Sequence, residues 1–117
     1  MPCRVVTSTA SLITDPIAAD QVVSGQPNAG FLTLHEDDLW SIGLWEHTAG
    51  TSTDVEADEV FIVLAGRASI AIEGEPTLEV GPGDIGILEA GARTTWTVHE
   101  ALRKIYVSPS HDHEATP

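Results

Sequence analysis

From residue 31 onward the chain alternates short apolar runs with turns that contain glycine or proline, and this spacing most restricts its fold. No segment after residue 30 shows the apolar period of a helix of useful length. Residues 60–64, Val-Phe-Ile-Val-Leu, are closed by Ala65-Gly66, which is typical of a strand buried on both faces. The roughly eight to ten short strands that this pattern indicates predict an all-β sandwich or barrel.

Length, charge and cysteine content exclude several classes of protein. A chain of 117 residues is one domain by length. Its formal net charge of −13 repels nucleic acid and anionic lipid, so we expect neither as a partner, whereas cations and neutral polar molecules are tolerated. No apolar run reaches membrane-spanning length, and the N-terminus lacks a signal-peptide core. Because Cys3 is the only cysteine, no internal disulfide is possible and we expect a reduced, cytoplasmic location.

The pattern divides the chain into three parts. Residues 1–30 are weakly patterned and are interpreted as an arm that packs on its own body or on a neighbouring subunit. Residues 31–108 form the predicted barrel. Residues 109–117 are predicted to be a flexible polar tail, which includes the pair His111 and His113.

Two spacings resemble the motifs of the cupin family. Glu59, six residues and Gly66 match the second half of the first cupin motif, His-x-His, three or four residues, Glu, six residues, Gly. Gly83, five residues, Glu89-Ala-Gly91, two residues and Thr94 match the spacing of the second motif, which ends on a histidine. The resemblance implies an RmlC-like jelly-roll barrel, the double-stranded β-helix of the cupins.

The chain resembles a small single-domain cupin subgroup, which is similar to the cupin domains of ureidoglycine aminohydrolase and of ethanolamine-utilisation protein Q. This resemblance covers about residues 31–108. The matching segments are Gly43-Leu-Trp45-Glu46, Asp58-Glu59, Gly83-Asp84, Thr95-Trp96-Thr-Val98 and Arg103-Lys104-Ile-Tyr106-Val107. Open β edges and the N-terminal arm, together with the family's frequent dimers, predict a homodimer with strand exchange.

The positions of the usual cupin metal ligands carry other residues here. The His-x-His positions fall on Thr53 and Val55, or on Ser52 and Asp54 with the longer spacer, and the histidine of the second motif is Thr94. Of the three histidines and one glutamate of the family, only Glu59 is present. Because transition metals in cupins depend on neutral imidazole donors, we predict no metal and no cofactor.

A carboxylate at the mouth of a buried strand needs a partner, so Glu59 is the centre of the predicted site. Its role is open between an acid/base group and a carboxylate held by a hydrogen bond to a threonine or an indole. Strand parity places Thr53, Val55 and Phe61 on the face of Glu59, if the strand is regular, and leaves Asp54, Glu56 and Asp58 on a solvated face. The remaining predicted pocket residues are Trp45, Thr94, Trp96 and Tyr106, with core packing an equal alternative for Trp45 and Tyr106.

Two functions are compatible with this pattern. The first is a cupin that binds a small polar metabolite in a pocket without the usual histidine ligands. The alternative is an enzyme similar to ureidoglycine aminohydrolase, or to a sugar isomerase or epimerase, in which Glu59 is the general acid or base. Arg93 is a candidate partner for Glu59 or for a ligand anion, although a surface role is favoured, and His47 is placed near the barrel mouth.

Overall fold

The computed structural model describes residues 3–110, so His111, His113 and most of the predicted tail lie outside the described residues. Helix in this part of the chain is limited to one 3-10 turn, Ala19–Gln21, and no helix there is long and apolar enough to cross a membrane. The strands are β1 Asp15–Pro16, β2 Val22–Ser24, β3 Asn28–Glu36, β4 Trp40–His47, β5 Gly50–Val55, β6 Glu59–Ile72, β7 Leu78–Val80, β8 Ile85–Leu88 and β9 Arg93–Pro109.

The nine strands form one curled sheet with two halves, which confirms the all-β jelly-roll prediction. In one half, the order is β1, β3, β4, the C-terminal part of β9, the N-terminal part of β6, and β8. In the other half, it is β2, β5, the N-terminal part of β9, the C-terminal part of β6, and β7. The long strands β6 and β9 therefore pass through both halves and hold them together.

Strands β6 and β9 are longer than the sequence pattern predicted. The prediction that the central strand stops at Gly66 is wrong, because β6 continues to Ile72. Strand β9 is likewise continuous, over 17 residues that include residues 100 and 101. Both strands bend where their register shifts, between Val63 and Ala68 of β6, and Gly66 lies in this bend with a φ of 88°. Gly66 therefore marks a bend within a strand and not the end of that strand.

The inner face of the curled sheet holds the core, whose buried side chains include Phe61, Val63, Ile70, Trp96 and Leu102. The outer face of β6 and β8 is apolar but exposed. Val60 and Ile62 are 43% and 40% exposed and pair across the sheet with Ile87 and Ile85. The prediction that residues 60–64 are buried on both faces is therefore wrong for the single chain, in which they alternate.

The N-terminal segment packs on its own chain. Residues 15–16 pair with residues 28–29, so that β1 extends the edge of β3. The Arg103 guanidinium on the outer face of β9 donates to the backbone oxygens of Ser8 and Ala10 at 3.2 and 2.6 Å. The same guanidinium forms a salt bridge with Glu46 at 2.8 Å. A cation of the barrel thus anchors the otherwise unpatterned start of the chain.

Candidate functional site

A cavity of about 560 Å³ opens on the inner face of the curled sheet, between β3, β4, β5 and β9. Its wall combines aromatic rings with charged groups in a way that a plain hydrophobic core does not. The charged residues of the wall are Glu36, Asp54, Glu56, Glu59 and Lys104, and the aromatic ones are Phe31, Trp45, Trp96 and Tyr106. Such a mixture of apolar walls and a few convergent polar groups is typical of small-molecule sites.

The partner of Glu59 is Lys104. The Lys104 ammonium donates to Oε2 of Glu59 at 2.6 Å, and the two side chains are 5% and 18% exposed. The ammonium also lies 4.5 Å from the ring centroid of Trp45, 4.6 Å from that of Phe61 and 4.7 Å from that of Trp96. The negative faces of three rings and one carboxylate together compensate a cation that has been taken out of water.

Lys104 was not among the predicted site residues, although it lies within a segment that matches the cupin subgroup. A signal was present, because Leu102, Lys104 and Tyr106 alternate on β9 and all three are buried. A lysine at the centre of three inward positions is a buried charge, and a buried charge requires a partner. Arg93, a candidate partner for which a surface role was favoured, is exposed at the start of β9.

The placement of Glu56 on a solvated face is wrong. Strand β5 ends at Val55 and β6 begins at Glu59, so the parity of one strand does not carry across the residues between them. Glu56 is 9% exposed, and its Oε2 accepts hydrogen bonds from Thr94 Oγ1 at 2.7 Å and from Trp96 Nε1 at 3.0 Å. The predicted bond of a carboxylate to a threonine and an indole exists, but the carboxylate is Glu56.

Because β5 and β6 are separate strands, Thr53 and Val55 do not share the face of Glu59 as predicted. The inward positions of β5 are Ser52 and Asp54, which lie opposite Trp96 and Thr94 of β9. Thr53 borders the cavity with its hydroxyl directed to the Gln21 carbonyl at 3.4 Å, and Val55 is 42% exposed. The longer spacer of the first cupin motif is therefore the one that matches the inner face.

Asp54 and Asp58 were also predicted to face solvent. This is correct for Asp58 and only partly correct for Asp54. Asp58 is exposed and its Oδ1 accepts a bond from the Ala90 backbone N–H at 2.8 Å. Asp54 lines the cavity. Desolvation, and next the charge of Glu56, raise the pKa of Asp54 to about 6. Since more than a third of Asp54 is exposed, solvent screens much of the cost of its charge.

We expect Asp54→Asn to stabilise the protein slightly above pH 6. The pKa of the folded-state Asp54 is about 6 against a model value of 3.8. Its charge therefore disfavours folding above pH 6, and this effect disappears as the pH falls toward 4. Urea unfolding should show a gain of less than about 1 kcal/mol at pH 8 that vanishes near pH 4. Asp38→Asn, at an exposed turn, is the control, and a gain that persists at pH 4 would contradict the assignment to Asp54.

His47 is fully enclosed and holds its own place in the wall. Its Nδ1 lies 2.6 Å from the Thr48 carbonyl oxygen, which only accepts, so Nδ1 carries the proton. Nε2 then accepts from the Ser52 hydroxyl at 2.8 Å. Burial lowers the pKa of His47, and the nearby Lys104 charge lowers it further. A neutral imidazole with both nitrogens engaged therefore packs beside Trp45, at 5.5 Å between ring centroids.

Tyr106 reaches the cavity because its cross-strand partner is a glycine. Gly43 lies opposite Tyr106 in the register of β4 and β9, and a Cβ on Gly43 would approach the phenol oxygen to 2.6 Å. The side chains of Thr33 and Ser41 hydrogen-bond the phenol. Burial raises the pKa of Tyr106, so the phenol is neutral near neutral pH and available as a hydrogen-bond donor.

Comparison with known proteins places this geometry in a family. The profile of the EutQ-like cupin domain matches residues 34–106. The chain belongs to the EutQ-like cupin family. A search of curated proteins found no match.

Solved structures share the fold of this EutQ-like cupin. It is 19% identical to the Clostridium difficile EutQ protein, with a TM-score of 0.65 over 80% of each chain. It is 30% identical to a Rhizobium leguminosarum protein of unknown function, over 68% of this chain and 78% of that chain, with a TM-score of 0.62. A Pseudomonas syringae protein of the DUF861 family is 25% identical, over 87% of this chain and 46% of that chain, with a TM-score of 0.76.

The predicted pocket residues of this EutQ-like cupin occupy two layers. Trp45, Thr53, Glu59, Trp96 and Tyr106 line the cavity. Phe61 and Thr94 lie behind that wall, where Phe61 is 1% exposed and packs on Trp96 at 5.8 Å between centroids. Trp45 and Trp96 contact each other at 5.6 Å between centroids. Ligand contact by any of these residues stays a prediction.

The residues at the positions of the cupin metal ligands can be compared within the described part of the chain. Within residues 3–110, no group of three or more histidine, cysteine or acidic side chains converges as metal ligands would. At the matching inward positions stand Ser52, Asp54, Glu59 and Thr94, and the Lys104 ammonium is bonded to Glu59. An ammonium in this position repels a metal cation and occupies the glutamate oxygen it would use. These residues do not fit a transition metal.

Proposed function

We propose that this EutQ-like cupin binds a small polar metabolite in the inner cavity, with the Lys104–Glu59 pair as the fixed polar centre. The observation that carries the proposal is the pair itself, an ammonium and a carboxylate 2.6 Å apart at the wall of a cavity of about 560 Å³. Cavities of roughly 300–1,000 Å³ are typical of small-ligand sites. Trp45 and Trp96 offer apolar ring faces beside this centre.

The pair supports a binding function better than a purely structural one. Burying two charges is seldom the most stable solution for a core, since well-packed apolar residues are often as good or better. A pair that lies at the wall of a cavity, rather than in closed packing, instead offers a ligand two oriented polar groups. Tyr106 adds a neutral phenol to the same wall.

A metabolite panel tests the proposal directly. We expect at least one small polar compound to raise the melting temperature of the purified protein, and Trp45→Ala to remove that shift because it opens the wall. Trp40→Ala is the matched control, since Trp40 is 48% exposed and does not line the cavity. A panel that shifts neither the wild type nor the control variant would contradict binding in this cavity.

The enzyme alternative is favoured by one feature, the convergence of Glu59, Lys104 and Tyr106 on the same cavity. A carboxylate held beside an ammonium can accept a proton from a bound substrate, and the phenol can donate one. For an enzyme, Glu59→Gln should retain ligand affinity and lose at least about a hundredfold in turnover. If Glu59→Gln turns over an identified substrate at the wild-type rate, Glu59 is excluded as the acid or base.

The expected homodimer, cytoplasmic location and absence of a bound metal remain predictions. For the homodimer we propose the exposed apolar face of β6 and β8, where Ile85 and Ile87 are 67% and 74% exposed. Sedimentation velocity of the wild type and of Ile87→Lys checks this, because a dimer through that face should dissociate in the variant. Elemental analysis of the purified protein checks the metal prediction.

A further inference from the structure

The cavity wall carries more negative than positive charge. Four carboxylates line it, Glu36, Asp54, Glu56 and Glu59, against one lysine ammonium. That ammonium is already committed to Glu59 at 2.6 Å. His47 adds no charge, since burial lowers its pKa and both ring nitrogens are engaged. Among the residues that the structure describes, the other three carboxylates of the wall have no cationic partner inside the cavity.

Glu56 is the most enclosed of these three acids. It is 9% exposed, and the groups that hold it, Thr94 Oγ1 and Trp96 Nε1, are neutral donors to the same oxygen, Oε2. Within residues 3–110, no hydrogen bond is directed at the other oxygen, Oε1. Glu56 thus has only neutral donors, both on one oxygen, and lines the cavity, where a cationic donor would compensate its charge best.

Asp54 reports the same excess of negative charge. Its pKa is raised, after desolvation, by the charges of Glu56 and Glu59, while Lys104 only partly offsets them. A cation placed in the cavity would relieve this repulsion, whereas an anion would add to it. Phe31 and Tyr106 add two aromatic rings to the cavity wall besides the rings around Lys104, and aromatic rings attract cations.

We propose that the ligand of this cavity is a small organic cation, an alkylammonium or guanidinium compound, whose charged end is held by Glu56 and Asp54. This inference rests on the proposed binding function and specifies the class of its ligand. Glu56 sets the preference from the buried side, and Asp54 contributes from the open side. The Lys104–Glu59 pair, which is neutral overall, then faces the rest of the ligand.

Three probes of equal length and different charge test the preference. They are n-butylammonium, n-butanol and butyrate, titrated at pH 8 and constant ionic strength, with tryptophan fluorescence as the readout because Trp45 and Trp96 line the cavity. We expect n-butylammonium to bind at least tenfold more tightly than either of the other two. Equal or tighter binding of n-butanol or butyrate would overturn the cation inference and leave a binding cavity intact. A flat titration with all three probes, together with a metabolite panel without effect, would overturn both proposals.

Charge-removing variants locate the preference. Glu56→Gln keeps an oxygen acceptor for Thr94 and Trp96 and should weaken n-butylammonium binding at least tenfold, with little effect on n-butanol. Glu75→Gln removes the same formal charge from an exposed turn and should leave binding unchanged. If Glu56→Gln does not fold, Asp54→Asn on the exposed side of the site provides the second test and should weaken binding several-fold. Unchanged n-butylammonium affinity in the folded site variants would refute the assignment.

Discussion

Replacing Lys104 with methionine should lower the free energy of unfolding by about 3–5 kcal/mol, the usual cost of removing one partner of a buried ion pair. Lys104 is 4% exposed, and its ammonium lies among three aromatic rings. The variant therefore leaves Glu59 charged and unpaired at this buried place. For a chain of this size we expect the melting temperature to fall by about 10–20 °C. Urea unfolding followed by tryptophan fluorescence measures the effect.

Two further variants separate the pair from the loss of a side chain. The double variant Lys104→Met with Glu59→Leu replaces both charges by apolar groups and should recover most of the lost stability, because no unpaired charge remains. Arg67→Met is the matched control, since Arg67 and Glu100 form a pair at 2.5 Å whose side chains are 60% and 62% exposed. That control should cost less than about 1 kcal/mol. If the double variant were as unstable as Lys104→Met, the pair would not be the source of the effect.

The sequence predicted that Glu59 has a partner, but it did not identify Lys104 as that partner. A carboxylate at the start of a buried strand predicted that a partner exists, because the cost of an unpaired charge does not depend on the fold. The partner lies 45 residues away on β9, a separation that no local pattern spans. The alternation of Leu102, Lys104 and Tyr106 could have indicated an inward lysine, but pairing it with Glu59 requires the register of β6 and β9.

The fold was more predictable than the site because it follows from the spacing of apolar residues and from the positions of glycine and proline. Turns at residues 73–76, 81–84 and 89–91 lie where glycine and proline predicted them. The wrong predictions concern where a strand is interrupted, because assigning alternate residues to the two faces of a sheet assumes an unbroken strand. At residues 56–58 the chain leaves the sheet, and Glu56 turns inward; at Gly66 it bends and stays in the sheet. No glycine or proline marks the exit at residues 56–58, whereas a glycine marks the bend at Gly66, so only the pairing of distant strands shows where the sheet is interrupted.

Gly66→Ala should be the most destabilising of the glycine substitutions at positive φ, with a loss of more than about 3 kcal/mol. Two costs combine at this bend. A φ of 88° is unfavourable for alanine, and a Cβ there would collide with the backbone carbonyl of Ala101, where β6 and β9 cross between the two halves of the sheet. Since both strands pass through both halves, separating them at this point disturbs the inner face that carries Lys104 and Phe61.

Gly74 and Gly83 provide matched controls for this substitution. Their φ values are 83° and 89°, close to that of Gly66, but a Cβ at either position would meet no atom within 4 Å. Gly74→Ala and Gly83→Ala should therefore cost only the backbone term, about 1–2 kcal/mol each. The difference between Gly66→Ala and the two controls in urea unfolding measures the close approach of β6 to β9. Equal losses in all three variants would show that backbone conformation alone selects glycine at the bend, and that the two strands can separate there without cost.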